Sequence, residues 1–127
     1  MHRYMKEIYR AYEAGIPIVG PTQIAKSLNV SKSTAYQMLK HLAQLGYGFY
    51  LERKGFVVNK KGIEEAKKIM RKHRILESFL ADNFSMEACK ACKEADKIDG
   101  CIGDDVINMI EEKFDYRVCP CGNTIPK

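Results

Sequence analysis

Residues 31–59, SKSTAYQMLKHLAQLGYGFYLERKGFVVN, decide how this chain folds. Ser31 stands directly ahead of a helical pattern, where a hydroxyl accepts a backbone N–H that the first turn leaves unpaired. From about Lys32 to Leu45, Ala35, Met38, Leu39 and Leu42 recur at helical spacing and predict one buried stripe. The opposite face carries Ser33, Tyr36, Gln37 and Lys40. Gly46-Tyr47-Gly48 ends the helix, and two β-rich runs, Phe49 to Leu51 and Phe56 to Val58, flank a turn containing Arg53, Lys54 and Gly55. A helix followed by a hairpin with two cations at its tip is the pattern of a winged helix-turn-helix with a two-stranded β wing.

The residues upstream supply the rest of that fold. Tyr4, Ile8 and Tyr12, with Met5 and Tyr9 alongside, give a first helix one apolar stripe, which Gly15 and Pro17 end. A second helix is expected from about Pro21 and Thr22, with Thr22 as cap and Ile24, Ala25 and Leu28 buried. Asn29-Val30-Ser31 is then a compact turn, with Val30 placed to staple against Ala35.

The polar face of the third helix has a chemistry of its own. Exposed Glu/Lys pairs would mark a merely solvated surface, whereas hydroxyls and a glutamine reach base edges and ammonium groups neutralise phosphates. Ser33, Thr34, Tyr36, Gln37 and Lys40 are therefore the expected groove contacts, and Lys32, Arg53 and Lys54 the expected phosphate contacts. Charge agrees with this assignment. Residues 1–60 hold nine Lys/Arg against three Asp/Glu, while residues 61–127 hold twelve against thirteen, so the net +5 sits in the first half. The partner implied is double-stranded DNA. The alternative is a metal-binding or thiol-redox protein that uses its winged helix for protein association.

Length and 46% hydrophobic content allow one proper core with a small appended subdomain. No apolar run is long enough to span a membrane, and the first residues form an amphipathic pattern rather than a signal peptide, so a cytoplasmic protein is expected. Nothing in the sequence assembles a Ser/His/Asp arrangement, a phosphate-cradling glycine loop or paired catalytic carboxylates, and no enzyme is expected.

The last third is crowded with cysteine: Cys89-x2-Cys92-x8-Cys101-x17-Cys119-Pro-Cys121. In a reducing compartment an odd count of five points to metal ligation or thiol chemistry rather than disulfides. Cys89 and Cys92 lie one helical turn apart with Asp96 a turn further on, Cys101 follows Gly100 in a loop, and Cys119-Pro-Cys121-Gly closes back from the C-terminus. Four thiolates from two distant pieces of chain can enclose zinc or iron tetrahedrally, or hold an iron–sulfur cluster. Some of these thiols as plain core, or a purely structural metal staple, are the competing readings. The gaps of 8 and 17 residues match no zinc ribbon.

Three further segments carry a resemblance. Asn59-Lys60-Lys61-Gly62 leads into a long helix, RKHRILESFL occupies 71–80, and CGNTIPK occupies 121–127. Together with the helix-turn-helix, their order from Tyr4 to Lys127 resembles the iron-dependent repressor family, the DtxR/MntR group of metal-responsive transcription regulators. The resemblance implies a mainly α protein: a winged-helix DNA-binding domain over 1–61, then a helical dimerisation and metal-binding domain over 62–127. It implies a homodimer on a pseudo-palindromic operator, with helices over roughly Gly62 to Asp82, Ser85 to Lys97 and Asp104 to Phe114. Ile69, Phe79, Leu80, Val106 and Ile110 become candidates for the dimer-domain core. No additional barrel-like domain is expected after the final Ile-Pro-Lys.

Carried over residue by residue, one family metal site falls on His73 and Glu77, with Cys92 where some members have a histidine. The positions of a second site fall on Arg3, Lys6, Asp96, Asp99 and Gly100. Cations there would repel a divalent ion, and an ion pair from Arg3 or Lys6 to an aspartate is the expected replacement.

Overall fold

The computed structural model describes residues 1–127 and contains six helices and one two-stranded sheet, so the chain is mainly α with a β wing. It divides into two units, Met1–Lys67 and Lys68–Lys127, with the division inside the longest helix.

In the first unit, α1 (His2–Glu13) buries Tyr4, Met5, Ile8, Tyr9 and Ala11. Tyr12, expected on the same stripe, is 51% exposed. The cause is helical geometry: successive i+4 steps drift about 40° each, whereas the i+7 step from Tyr4 to Ala11 nearly closes two turns. Helix α2 (Pro21–Leu28) is capped by the Gly20 backbone rather than by Thr22. Pro21 takes the first helical position, where its missing N–H costs nothing, and so moves the start ahead of Thr22. Asn29, in left-handed conformation, ends α2. The Ser31 hydroxyl accepts the Thr34 N–H at 3.0 Å and starts α3 (Lys32–Gln44). Ala35, Leu39 and Leu42 are fully buried, while Met38 is only half-buried.

The wing is the antiparallel pair β1 (Gly48–Leu51) and β2 (Gly55–Val58), in which Phe49 faces Val57 and Tyr50 faces Phe56. Gly55 belongs to the strand rather than to the turn. Phe56 exchanges both backbone hydrogen bonds with Val19, at 3.0 and 2.9 Å. That pairing presses Val19 against Gly55, where a Cβ would lie 2.5 Å from the Val19 carbonyl oxygen. Only glycine fits there, at φ +135°.

Helix α4 (Lys60–Phe84) starts where the Asn59 side chain accepts the Gly62 N–H at 2.9 Å. In the second unit it is followed by α5 (Ala88–Ile98) and α6 (Asp104–Phe114). Helix α5 begins three residues later than expected, because Ser85 is left-handed and cannot open a right-handed helix. Ile75, Leu76, Ala95, Ile107, Cys119 and Ile125 form the core of this unit. Val106, expected inside, is exposed; its neighbour Ile107 takes the buried position. Ile69 is buried as expected, while Phe79, Leu80 and Ile110 are half-buried.

After α6 the chain returns along α4. Tyr116 donates its hydroxyl to Asp82 at 2.6 Å, and the buried Arg74 guanidinium donates to the Thr124 carbonyl at 2.8 Å. Val118 pairs with Thr124, and the Gly122 N–H closes a turn on the Cys119 carbonyl at 2.8 Å. Proline second and glycine fourth suit such a turn. No helix is long and apolar enough to cross a membrane.

Candidate nucleic-acid interface and metal centre

Ser33, Thr34 and Gln37 lie exposed along α3, with Lys32 at its start. Thr34 is partly engaged, since its Oγ1 accepts the Ser31 hydroxyl at 2.8 Å. Tyr36 and Lys40 are less free than their spacing implies. The Tyr36 ring meets Tyr50 edge-on at 5.3 Å, and the Lys40 ammonium pairs with Glu52 at 3.0 Å while lying over both rings. The Glu52 hydrogen bond, with its negative charge, holds the Lys40 pKa above the usual lysine value. Lys40 thus ties the helix to the wing, and much of its charge is already answered.

Arg53 and Lys54 are exposed at the wing turn, where Arg53 adopts φ 67°. With Lys32 they line a groove of about 360 Å³ between the start of α2, α3 and the wing. Three cations against one carboxylate, Glu52, make this groove suited to phosphate oxygens.

The second unit gathers its polar groups inside. His73 and Glu77 sit one turn apart on α4, 1% and 2% exposed, and Cys92 approaches from α5. The His73 Nε2 lies 3.4 Å from the Cys92 Sγ and 4.0 Å from a Glu77 carboxylate oxygen. The other ring nitrogen, Nδ1, faces Asp99 at 2.9 Å and Asp96 at 3.3 Å. Ligand atoms of His73, Glu77 and Cys92 all lie within 4.8 Å of one another, as do those of His73, Asp96 and Asp99.

A neutral imidazole has one lone pair, so the ring can serve a metal on one side only. The tautomer that gives its Nδ1–H to buried Asp99, 2.9 Å away, would turn the Nε2 lone pair toward Glu77 and Cys92, the carboxylate–histidine arrangement that orients metal-binding imidazoles. One nitrogen, one oxygen and one sulfur donor suit a borderline-soft divalent ion such as zinc or ferrous iron. The Cys92 side fits a metal. Sequence reasoning placed Asp99 in a second site; its spacing of i, i+4, i+7 with Cys92 and Asp96 was the available sign that all three share a face of α5.

The four-thiolate enclosure expected from cysteine spacing is not assembled. Cys89 and Cys101 are exposed, and of the five cysteines Cys92 alone belongs to a metal-capable group. Cys89 lies three residues before Cys92, at the edge of the α5 face whose centre is filled by Ala91 and Ala95. The C-terminal thiols do come back to α4. The Cys121 thiol donates to Glu77 at 3.8 Å, and Cys119 is buried beside the same carboxylate. Burial, then Glu77, push the Cys119 thiol up, while the backbone N–H groups of Asn123 and Cys121 oppose this by favouring the thiolate. Arg3 donates to the Leu28 carbonyl at 2.6 Å.

Residues 1–56 match the N-terminal DNA binding domain of the iron dependent repressors, and residues 59–127 match their metal binding and dimerisation domain. The chain belongs to the iron-dependent repressor family. An uncharacterized HTH-type transcriptional regulator of Methanocaldococcus jannaschii is 33% identical over 118 residues, covering 91% of this chain and 94% of the relative. A diphtheria toxin repressor of Corynebacterium jeikeium is 28% identical over 124 residues, 97% of this chain but only 51% of that repressor, so the chain spans about half its length. A manganese-dependent transcriptional repressor solved with manganese superposes with a TM-score of 0.91 at 26% identity, over 100% of this chain and 59% of its own. The winged helix thus corresponds to the family's DNA binding domain, and the helical unit to its metal binding and dimerisation domain.

Proposed function

We propose that this chain is a transcriptional repressor whose grip on double-stranded DNA is set by a transition metal held at His73, Glu77 and Cys92. The convergence of those three side chains in a buried pocket, with Asp99 orienting the imidazole, is the observation that carries the reading. When bound there, a divalent cation supplies positive charge and fixed bonds to two helices. The chain's own residues do the rest: Asp99 keeps the Nδ1 proton, His73 presents Nε2, and Cys92 and Glu77 supply negative charge.

The sulfur donor separates this site from one built of hard oxygens. The superposed repressor is manganese-dependent; a thiolate among the donors moves preference toward zinc or ferrous iron. On DNA, Ser33, Thr34 and Gln37 read base edges, Lys32, Arg53 and Lys54 hold phosphates, and Tyr36 and Lys40 set the helix against the wing. Two copies, each dimerising through residues 62–127, read a pseudo-palindromic operator with residues 1–61.

Metal changes DNA affinity only by as much as it binds the DNA-competent state differently from the other. The test is a duplex selected from a random pool, titrated with the whole chain in the presence and absence of zinc or ferrous iron. The expected result is a metal-dependent shift in affinity that disappears in Cys92→Ser. Equal affinity with and without either metal would refute the reading.

A further inference from the structure

The Cys119-Pro-Cys121-Gly turn is a built element rather than a loose end. It is closed by the Gly122 N–H on the Cys119 carbonyl, by Cys119 N–H to the Asn123 carbonyl at 2.9 Å, and by Ile125 N–H to the Arg117 carbonyl at 2.9 Å. Arg74 fastens its far side to α4 through Thr124, and Ile125 and Cys119 enter the core. So held, the turn delivers two thiols to Glu77. The oxygen that receives the Cys121 thiol, Oε2, is also the one 4.0 Å from the His73 Nε2.

Resting on the metal-site reading above, we propose that this turn completes the site with sulfur. One ion then takes Cys92, Cys119 and Cys121 as thiolates together with the His73 Nε2, the two thiolates of the turn taking the place of the Glu77 carboxylate that their thiols approach. Three thiolates and one imidazole form a closed, thiophilic ligand set of the kind that holds zinc or cobalt. Each thiol releases its proton as it binds, and the C-terminal segment becomes pinned to α4 through the ion. Cys89 and Cys101 take no part.

Cobalt(II) titrated into the reduced whole chain tests this, because each thiolate adds to the near-ultraviolet sulfur-to-cobalt band. Cys121→Ser carries the test, since Cys121 is exposed whereas replacing buried Cys119 disturbs the core. The expected result is a band of three-thiolate strength that loses one share in Cys121→Ser and keeps its full strength in Cys89→Ser/Cys101→Ser. Zinc affinity should fall by about tenfold or more in Cys121→Ser, at least the loss that follows removal of a supporting partner. An unchanged band and zinc affinity in Cys121→Ser, with binding abolished in His73→Ala, would overturn the role of the turn and leave the His73 site standing. A wild-type chain that binds no cobalt would remove both.

Discussion

The winged-helix unit keeps apolar groups inside and chemistry outside: Met5, Ile8, Ile24, Leu39, Leu42 and Phe56 are its fully buried large side chains, and apart from Lys6 its charges stand at the surface. The C-terminal unit buries His73, Arg74, Glu77, Ser78 and Asp99 among Ile75, Leu76 and Ile107. Exposed hydroxyls and ammonium groups on a rigid apolar scaffold are free to meet a partner that comes from outside, such as a duplex. Buried ionisable groups are tolerated only when something pairs them, and here His73 draws Asp99 to one side and Glu77 and Cys92 to the other. The contrast separates a surface open to a partner from an interior whose ionisable groups answer one another.

Stability should show the contrast most strongly. Leu39→Ala removes a fully buried side chain from the first unit and should cost about 2–5 kcal/mol. Gln37→Ala, two residues away on the exposed face, should stay within about 0.5 kcal/mol. Urea denaturation of both variants checks this, and similar losses would mean that the outer face of α3 is not a free surface.

The interior binding site predicts the next effect. Asp99→Asn leaves the proposed metal donors in place but weakens the carboxylate that orients His73, and zinc affinity should drop by about 10–100-fold. Unchanged affinity by competition with a chelator would place the metal elsewhere.

On the reading surface, Arg53→Ala with Lys54→Ala should make the slope of log K against log salt shallower by about 1.8, because two phosphates are no longer neutralised. The same titration on Glu52→Gln, which frees Lys40, should give a slope steeper by up to about 0.9. An unchanged slope in the double variant would take the wing off the DNA.

The smallest effect belongs to Tyr116, whose pKa is pushed up to about 12 by burial and by its hydrogen bond to Asp82. An unfolded tyrosine titrates near 10. The folded state therefore holds the proton more tightly, and this contribution is complete below about pH 10 and lost as pH rises toward 12. Melting curves should show wild type losing its small advantage over Tyr116→Phe across that window, and a constant difference would contradict it.

The helix-turn-helix and wing were legible because their signals are local. Ser31, the 35-38-39-42 stripe and the Gly46-Tyr47-Gly48 break each act within one or two turns, and the strands were displaced by a single residue because Val19, distant in sequence, fixes Gly55. The metal side was legible in pieces. His73 and Glu77 came from family resemblance, their i,i+4 spacing only allowing them to converge, and Cys92 came from both the resemblance and the cysteine spacing. Cysteine spacing alone joined Cys89 and Cys101 to a four-thiolate shell, since sequence separation does not say which edge of α5 turns inward. The Lys40–Glu52 pair and the return of Cys119 and Cys121 to Glu77 depend on tertiary closure over 12 to 44 residues, which no local pattern encodes.

The central claim is that the interior site and the reading surface are coupled, and coupling in equilibrium binding is reciprocal. Zinc or ferrous-iron affinity of the whole chain, measured free and saturated with its selected duplex, tests this most directly. The two affinities should differ by the same factor by which that metal changes the affinity for the duplex. Identical metal affinity with and without DNA would mean that the metal holds the C-terminal unit together and tells the winged helix nothing.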